Sequence, residues 1–204
     1  MKKYNDESRQ QVTPISKAWR EDIRKAVDIM WKGGIILYPT DTIWGIGCDA
    51  TNEDAVRRVY EIKQRIDSKA LICLTDNDAK LPYYVKDVPP IAWDLLELSV
   101  KPLTLVLDQA RNLAPNLLAE DGSVGIRITK EPFSKELCFR MRKMIVSTSA
   151  NISGQPAPRC FDEISDTLKQ SVDYICTSRR NERNPAASSV IRLRSNGEVC
   201  VIRQ

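Results

Sequence analysis

The sequence predicts a single α/β domain, a twisted open mixed sheet with flanking helices. Short apolar runs rich in β-branched residues alternate along the chain with segments of helical periodicity. The 204 residues are enough for one core, and 42% hydrophobic with 28% charged residues is an ordinary globular balance. No internal repeat, low-complexity tract or linker-like stretch divides the chain, so residues 16–204 read as one domain behind a flexible arm of residues 1–15.

Trp19, Ile23, Ala26, Val27, Met30 and Trp31 recur at helical spacing, and Gly33-Gly34 stops that helix. The run IILY at 35–38 suits a strand buried on both faces, and Pro39, with no amide hydrogen, ends its ladder. Thr40, Asp41 and Thr42 then form a polar turn at a strand end, followed by a loop in which Gly45 and Gly47 permit turns or close approach. Solvent-facing polar residues would look the same. Thr51 or Asn52 caps a helix whose buried face is Ala55, Val56, Val59, Tyr60 and Ile62, and which ends at Lys63-Gln64-Arg65.

Strands are expected at 70–74, 103–107 and 124–128, the last alternating around Arg127. Helices are expected around Ile91, Ala92, Leu95 and Leu96, over 133–143, and around Phe161, Ile164 and Leu168. Ile145-Val146 runs into a polar loop, STSANISGQPAP. Closing strands at 172–177, 188–193 and 199–203 include a hairpin through Asn196-Gly197.

Composition excludes several chemistries. Histidine is absent, which removes Ser-His-Asp and Cys-His catalysis and histidine-ligated metals. The six cysteines are at least 16 residues apart, so there is no CxxC pair, and buried free thiols in a reducing cytoplasm fit best. The polar N-terminus lacks the apolar core of a signal peptide, and no apolar run approaches membrane-spanning length. The net charge of +4 permits an anionic ligand without marking a nucleic-acid binder. The P-loop, GxGxxG and GxSxG signatures are missing.

Four groups remain as candidates. Lys63, Arg65 and Lys69 could hold a polyphosphate, or form a solvated helix end favoured by the helix dipole. Arg127, inside an apolar strand, needs a partner: a carboxylate or phosphate ligand, or an internal ion pair. Ser147, Ser149 and Asn151 could bind a phosphate, ribose or base, or cap a helix. Ser188 and Ser189 are a smaller polar pair, and Arg179, Arg180 and Arg183 read as solvated surface.

Taken together, YPTDTIWGIGCD, the KQR…K cluster, KPLTLVL, GIRI, STSANISGQPAP and ASSVI, in this order, resemble the YrdC-like family of L-threonylcarbamoyladenylate synthases over residues 20–203. The resemblance implies one α/β domain around a basic cavity, making threonylcarbamoyl-AMP from L-threonine, bicarbonate and ATP with pyrophosphate release. It implies Mg²⁺ carried mainly by the phosphates, and a downstream enzyme that transfers the group to tRNA. By similarity, Lys63, Arg65, Lys69, Ser147, Ser149, Asn151 and Arg203 serve ATP, and Thr42, Arg127 and Ser188 serve threonine. No side-chain nucleophile is expected. Departures are Ile66 where many members carry proline, Leu74 near a position of histidine in some, and Val100-Lys101-Pro102 for a PGP-like run. The rivals are a module of the same fold that binds tRNA or double-stranded RNA without making the adenylate, and an acyl- or carbamoyl-phosphate hydrolase.

Overall fold

The computed structural model describes residues 15–64, 71–183 and 187–204. The expected arm of residues 1–15, apart from Ile15, lies outside the described residues. In chain order the elements are α1 (Lys17–Trp31), β1 (Ile36–Tyr38), β2 (Gly45–Gly47), α2 (Glu53–Ile62), β3 (Ile72–Thr75), α3 (Leu81–Tyr84), α4 (Ile91–Leu98), β4 (Leu103–Leu107), β5 (Val124–Ile128), α5 (Pro132–Met141), β6 (Ile145–Ser149), α6 (Asp166–Gln170), β7 (Tyr174–Ile175), β8 (Ser189–Leu193) and β9 (Val199–Arg203).

Among the described residues the strands form one mixed sheet in the order β7-β1-β2-β6-β3-β5-β4-β8-β9. Strands β1·β7, β3·β5 and β4·β8 are parallel and the other neighbours antiparallel. β6 joins the two halves: its end at Thr148 and Ser149 pairs with β2, its start at Ile145–Ser147 with β3.

Local chemistry explains most boundaries. Ser16 caps α1 by accepting from the Trp19 amide (3.1 Å), and Gly33, at φ +80°, lets the chain turn into β1. Asn52 caps α2 by accepting from the Ala55 amide (3.0 Å). Glu131 caps α5 by accepting from the Phe133 and Ser134 amides, both at 2.8 Å. Apolar faces bury as their periodicity requires: Ile23, Ala26 and Met30 of α1 are fully covered, and Trp19 meets Phe133 of α5 edge-on at 5.5 Å.

One buried carboxylate fastens α1 to the far end of the chain. Asp22 accepts from the Tyr174 hydroxyl (2.7 Å) and from the Thr177 and Ser178 amides (2.9 and 2.7 Å). This loop carries Arg179.

The structure corrects the reading from sequence in several places. Gly45–Gly47 is a strand, not part of a loop: β1 and β6 flank it, and a Cβ on Gly47 would come within 2.6 Å of the Tyr38 ring. Ser147–Ser149 continues β6 where a polar loop was expected, because β2 and β3 offer it partners. The segment expected as one helix around Ile164 is a 3₁₀ turn at Phe161–Glu163 followed by α6, which Ser165 caps. Trp31 leaves the core and lies half exposed with the Lys143 ammonium 4.6 Å from its ring. Four cysteines are buried, Cys160 is partly covered, Cys200 is exposed and all six are free thiols.

Arg192 of β8 contacts Asp108 (3.1 Å) and Asp121, pinning β8 to the turn before β5. Hydrogen bonds from Ser123 and Arg192 hold the Asp121 carboxyl down to about 2, against an ordinary 3.8. A depressed carboxyl stabilises the fold above its unfolded value and loses that contribution as pH falls. Asp121→Asn should therefore flatten the loss of stability between pH 3.8 and about 2, read by urea unfolding at each pH. An unchanged acid limb would show that this contact contributes nothing.

Candidate functional site

A cavity of about 490 Å³ opens where the two halves of the sheet meet at β6. Of the residues expected in a site, it gathers Thr42, Arg127, Ser147, Ser149, Ser188 and Arg203. They come from the turn after β1, from β5, from β6 and from the β8–β9 hairpin. Their convergence comes from strand pairing: Ser147 is opposite Ile72, Ser149 is opposite Gly45, and Leu74 lies between Arg127 and Ile145 in the ladder. Arg65 and Lys69 lie outside the described residues.

Arg127 occupies a central strand with its side chain only 4% exposed. Both readings open from sequence meet here. The guanidinium has an internal partner, Asp41, with Nη2 to Oδ1 at 3.1 Å, and its Nε is buried with no hydrogen-bond partner. A buried charged donor left without an acceptor is costly, which marks Arg127 as the charged group of this part of the cavity wall. Burial raises the Asp41 carboxyl above its ordinary range, with Arg127 opposing.

The turn after β1 is locked by its own hydroxyls. Thr40 Oγ1 donates to the Ile43 carbonyl (2.8 Å) and accepts from the Thr42 amide (3.0 Å). The hydrogen in the 3.0 Å Thr40–Thr42 hydroxyl contact then comes from Thr42, whose oxygen is left as an acceptor on the cavity wall. Ser149 likewise donates to Asn151 Oδ1, so its oxygen also faces the cavity as an acceptor.

Lys63 and Asn151 do not line the cavity. Lys63 is buried, and its ammonium donates to the carbonyls of Ser149 (2.6 Å) and Asn151 (2.8 Å). Its own carbonyl accepts from the Ser153 amide (2.9 Å), and Asn151 Nδ2 donates to the Gln155 carbonyl (2.6 Å). These bonds clamp the end of α2 to the loop after β6. At the other side Ser188 shares a 2.8 Å hydroxyl contact with Thr104, and Arg203 Nε donates to the Ser188 carbonyl at 2.9 Å.

Two groups were missed from sequence. Asp41 was read only as a polar turn residue. Arg179, expected on the solvated surface, is buried at 7% side-chain exposure, pairs with Glu131 (3.0 Å) and donates to the Thr40 carbonyl (3.2 Å). Arg180 lies 4.4 Å over the Phe161 ring, and Arg183 alone of the three is exposed, as expected. One acceptor is local, Glu182 three residues on (2.7 Å), but Glu131 before α5 and the Thr40 carbonyl after β1 are distant in sequence, and no local pattern announces them.

No group of three or more metal-ligating side chains occurs among the described residues, and the cavity lining contains no carboxylate. No helix among them is long and apolar enough to cross a membrane.

Comparison with known proteins follows the same outline. The family model described as "Telomere recombination", for Sua5/YciO/YrdC, matches residues 28–204. A threonylcarbamoyl-AMP synthase of Stutzerimonas stutzeri is 33% identical over 183 residues, covering 89% of this chain and 96% of that protein. E. coli YciO superposes with a TM-score of 0.79 at 26% identity, over 91% of this chain and 89% of that one. P. abyssi Sua5 complexed with L-threonine gives 0.78 at 27% identity, over 87% of this chain. This chain spans about half the length of that Sua5, 52% of it.

Proposed function

This chain belongs to the Sua5/YciO/YrdC family, and from that membership we infer that it makes threonylcarbamoyl-AMP from L-threonine, bicarbonate and ATP, releasing pyrophosphate as a nucleotidyltransferase. The observation that carries this reading is the buried Arg127 guanidinium, its Nε without a partner, in a cavity walled by hydroxyls.

The chemistry needs three things of these residues. Arg127 takes the threonine carboxylate, and Thr42 Oγ1, an acceptor only, suits the ammonium or hydroxyl of the same molecule. Ser147, Ser149 and Arg203 serve the nucleotide in this reading, and Ser188, in the same cavity lining, serves threonine. Lys63, with Asn151, shapes the nucleotide loop, and Arg65 and Lys69 supply the phosphate charges. The neutral threonine amine attacks the carbon of carbon dioxide, giving a carbamate and releasing a proton, or that of bicarbonate, giving the carbamate and water. A carbamate oxygen then attacks the α-phosphorus of ATP, and the bond to the bridging oxygen of pyrophosphate breaks. Neither step requires a side-chain nucleophile, so holding the partners together and stabilising the developing charge supply the acceleration. Mg²⁺ would enter this scheme with the ATP substrate, carried mainly by the phosphates; among the described residues the cavity lining has no carboxylate.

The product is a mixed anhydride, which suits transfer to a tRNA adenosine by a second enzyme. A cytoplasmic location fits the free cysteines. Incubation with ATP, threonine and bicarbonate should give the adenylate by mass spectrometry, with none when threonine is omitted. Arg65→Ala should cut pyrophosphate release at least about tenfold while circular dichroism stays unchanged. RNA binding with a steep salt dependence and no nucleotide turnover would favour the rival RNA-binding reading instead.

A further inference from the structure

The Asp41–Arg127 pair forms a partition between two cavities. Thr40, Thr42 and Arg127 line the first, whereas Asp41, Ile128 and Thr129 line a second of about 710 Å³. Asp41 sits between Thr40 and Thr42 in the turn after β1 yet lines the other cavity, as Ile128 does next to Arg127 on β5. Asp41 therefore approaches Arg127 from behind the substrate cavity, and both side chains are more than nine-tenths buried.

We propose that Asp41 is a positioning residue of the amino-acid subsite, holding the Arg127 guanidinium against the cavity wall and cancelling its charge until a carboxylate arrives. The inference rests on the reading of Arg127 as the carboxylate anchor.

Three observations support it. The contact is an ion pair through Nη2 in which Asp41 Oδ1 makes no hydrogen bond, and Nε has no partner, so the guanidinium is neutralised without being saturated. The adjacent acid, Glu131, is already engaged by Arg179 and by two amides at the start of α5. Arg179 in turn fixes the Thr40 carbonyl, so the backbone beside Asp41 is itself clamped. Asp41 offsets Arg127, while Arg179 is offset by Glu131 and by Glu182 (2.7 Å), so the Arg127 charge is cancelled in the empty subsite. A neutral subsite has little attraction for a free inorganic anion, yet it retains a preorganised fork for an amino-acid carboxylate.

Asp41→Asn keeps the shape and removes the counter-charge. Thermal unfolding with and without inorganic sulfate, at constant ionic strength, reads the consequence directly. Sulfate should raise the midpoint of the variant by at least about 3 °C more than that of the parent, whose phosphate-binding residues can themselves take sulfate, because the uncancelled Arg127 charge adds a further anion site. If the variant does not fold unaided, sulfate during refolding should recover it. In turnover, the threonine KM should rise about tenfold, with the ATP KM and kcat each within about threefold. Asp41→Glu, which restores the charge, should return the sulfate shift to that of the parent. Equal sulfate shifts in parent and variant, or no recovery of an unfolded variant, would overturn the proposal, as would threonine and ATP KM rising together. A parent that makes no threonylcarbamoyl-AMP would remove the substrate assignment and leave the sulfate result to stand or fall independently.

Discussion

Arg127→Met is expected to lower threonine-dependent turnover by at least about a hundredfold, since two charge-assisted hydrogen bonds at about 1.5–3 kcal/mol each are lost. The loss should fall on kcat/KM for threonine while ATP still binds. The same change strands the Asp41 carboxylate, more than nine-tenths buried and 3.1 Å from the missing group. Breaking one side of such a pair costs about 3–5 kcal/mol. Urea unfolding separates the two effects. Asp41→Asn added to Arg127→Met should recover most of the stability and none of the activity. A double variant as unstable as the single one would mean that the pair is not what the core depends on. A single variant with normal threonine kinetics would remove Arg127 from the site.

Lys63→Met should cost on the order of 2 kcal/mol, because the part-buried Ser149 and Asn151 carbonyls lose charge-assisted donors at 2.6 and 2.8 Å, although the Asn151 amide still donates to the Ser149 carbonyl. The loop from 149 to 153 is where the loss concentrates, since Lys63 also accepts there through its own carbonyl. Hydrogen exchange at the Asn151 and Ser153 amides should therefore accelerate before the rest of β6. Turnover should fall at least about tenfold, through a raised ATP KM, while threonine binding measured without nucleotide stays near that of the parent. Unchanged exchange in this loop would show that the clamp is not needed.

These two residues also show how far the sequence could be read. A lone arginine in an apolar strand is visible because burial of charge demands a partner, so Arg127 stood out and β5 was located to the residue. Asn196-Gly197 likewise announced the β8–β9 hairpin. Lys63 was found as a cationic group, but the carbonyls it holds lie across the sheet, so its place behind the cavity wall was not legible. β2 escaped because Gly45-Ile46-Gly47 has no strand propensity of its own. Its conformation is imposed by neighbours, and only a bare Gly47 fits beneath the Tyr38 ring. Arg179 sits in a run of arginines that composition assigns to the surface; two acceptors from remote elements pull it inside.

The contacts of Asp22 extend the molecule's working parts upstream. The match of the family model starts at residue 28, yet three donors from β7 and the chain just after it converge on a carboxylate six positions earlier. That same stretch delivers Arg179 to the turn beneath the cavity. The opening helix is thus the cavity's foundation stone, and a fragment cut at the start of the match would keep the walls while losing the footing on which one of them stands.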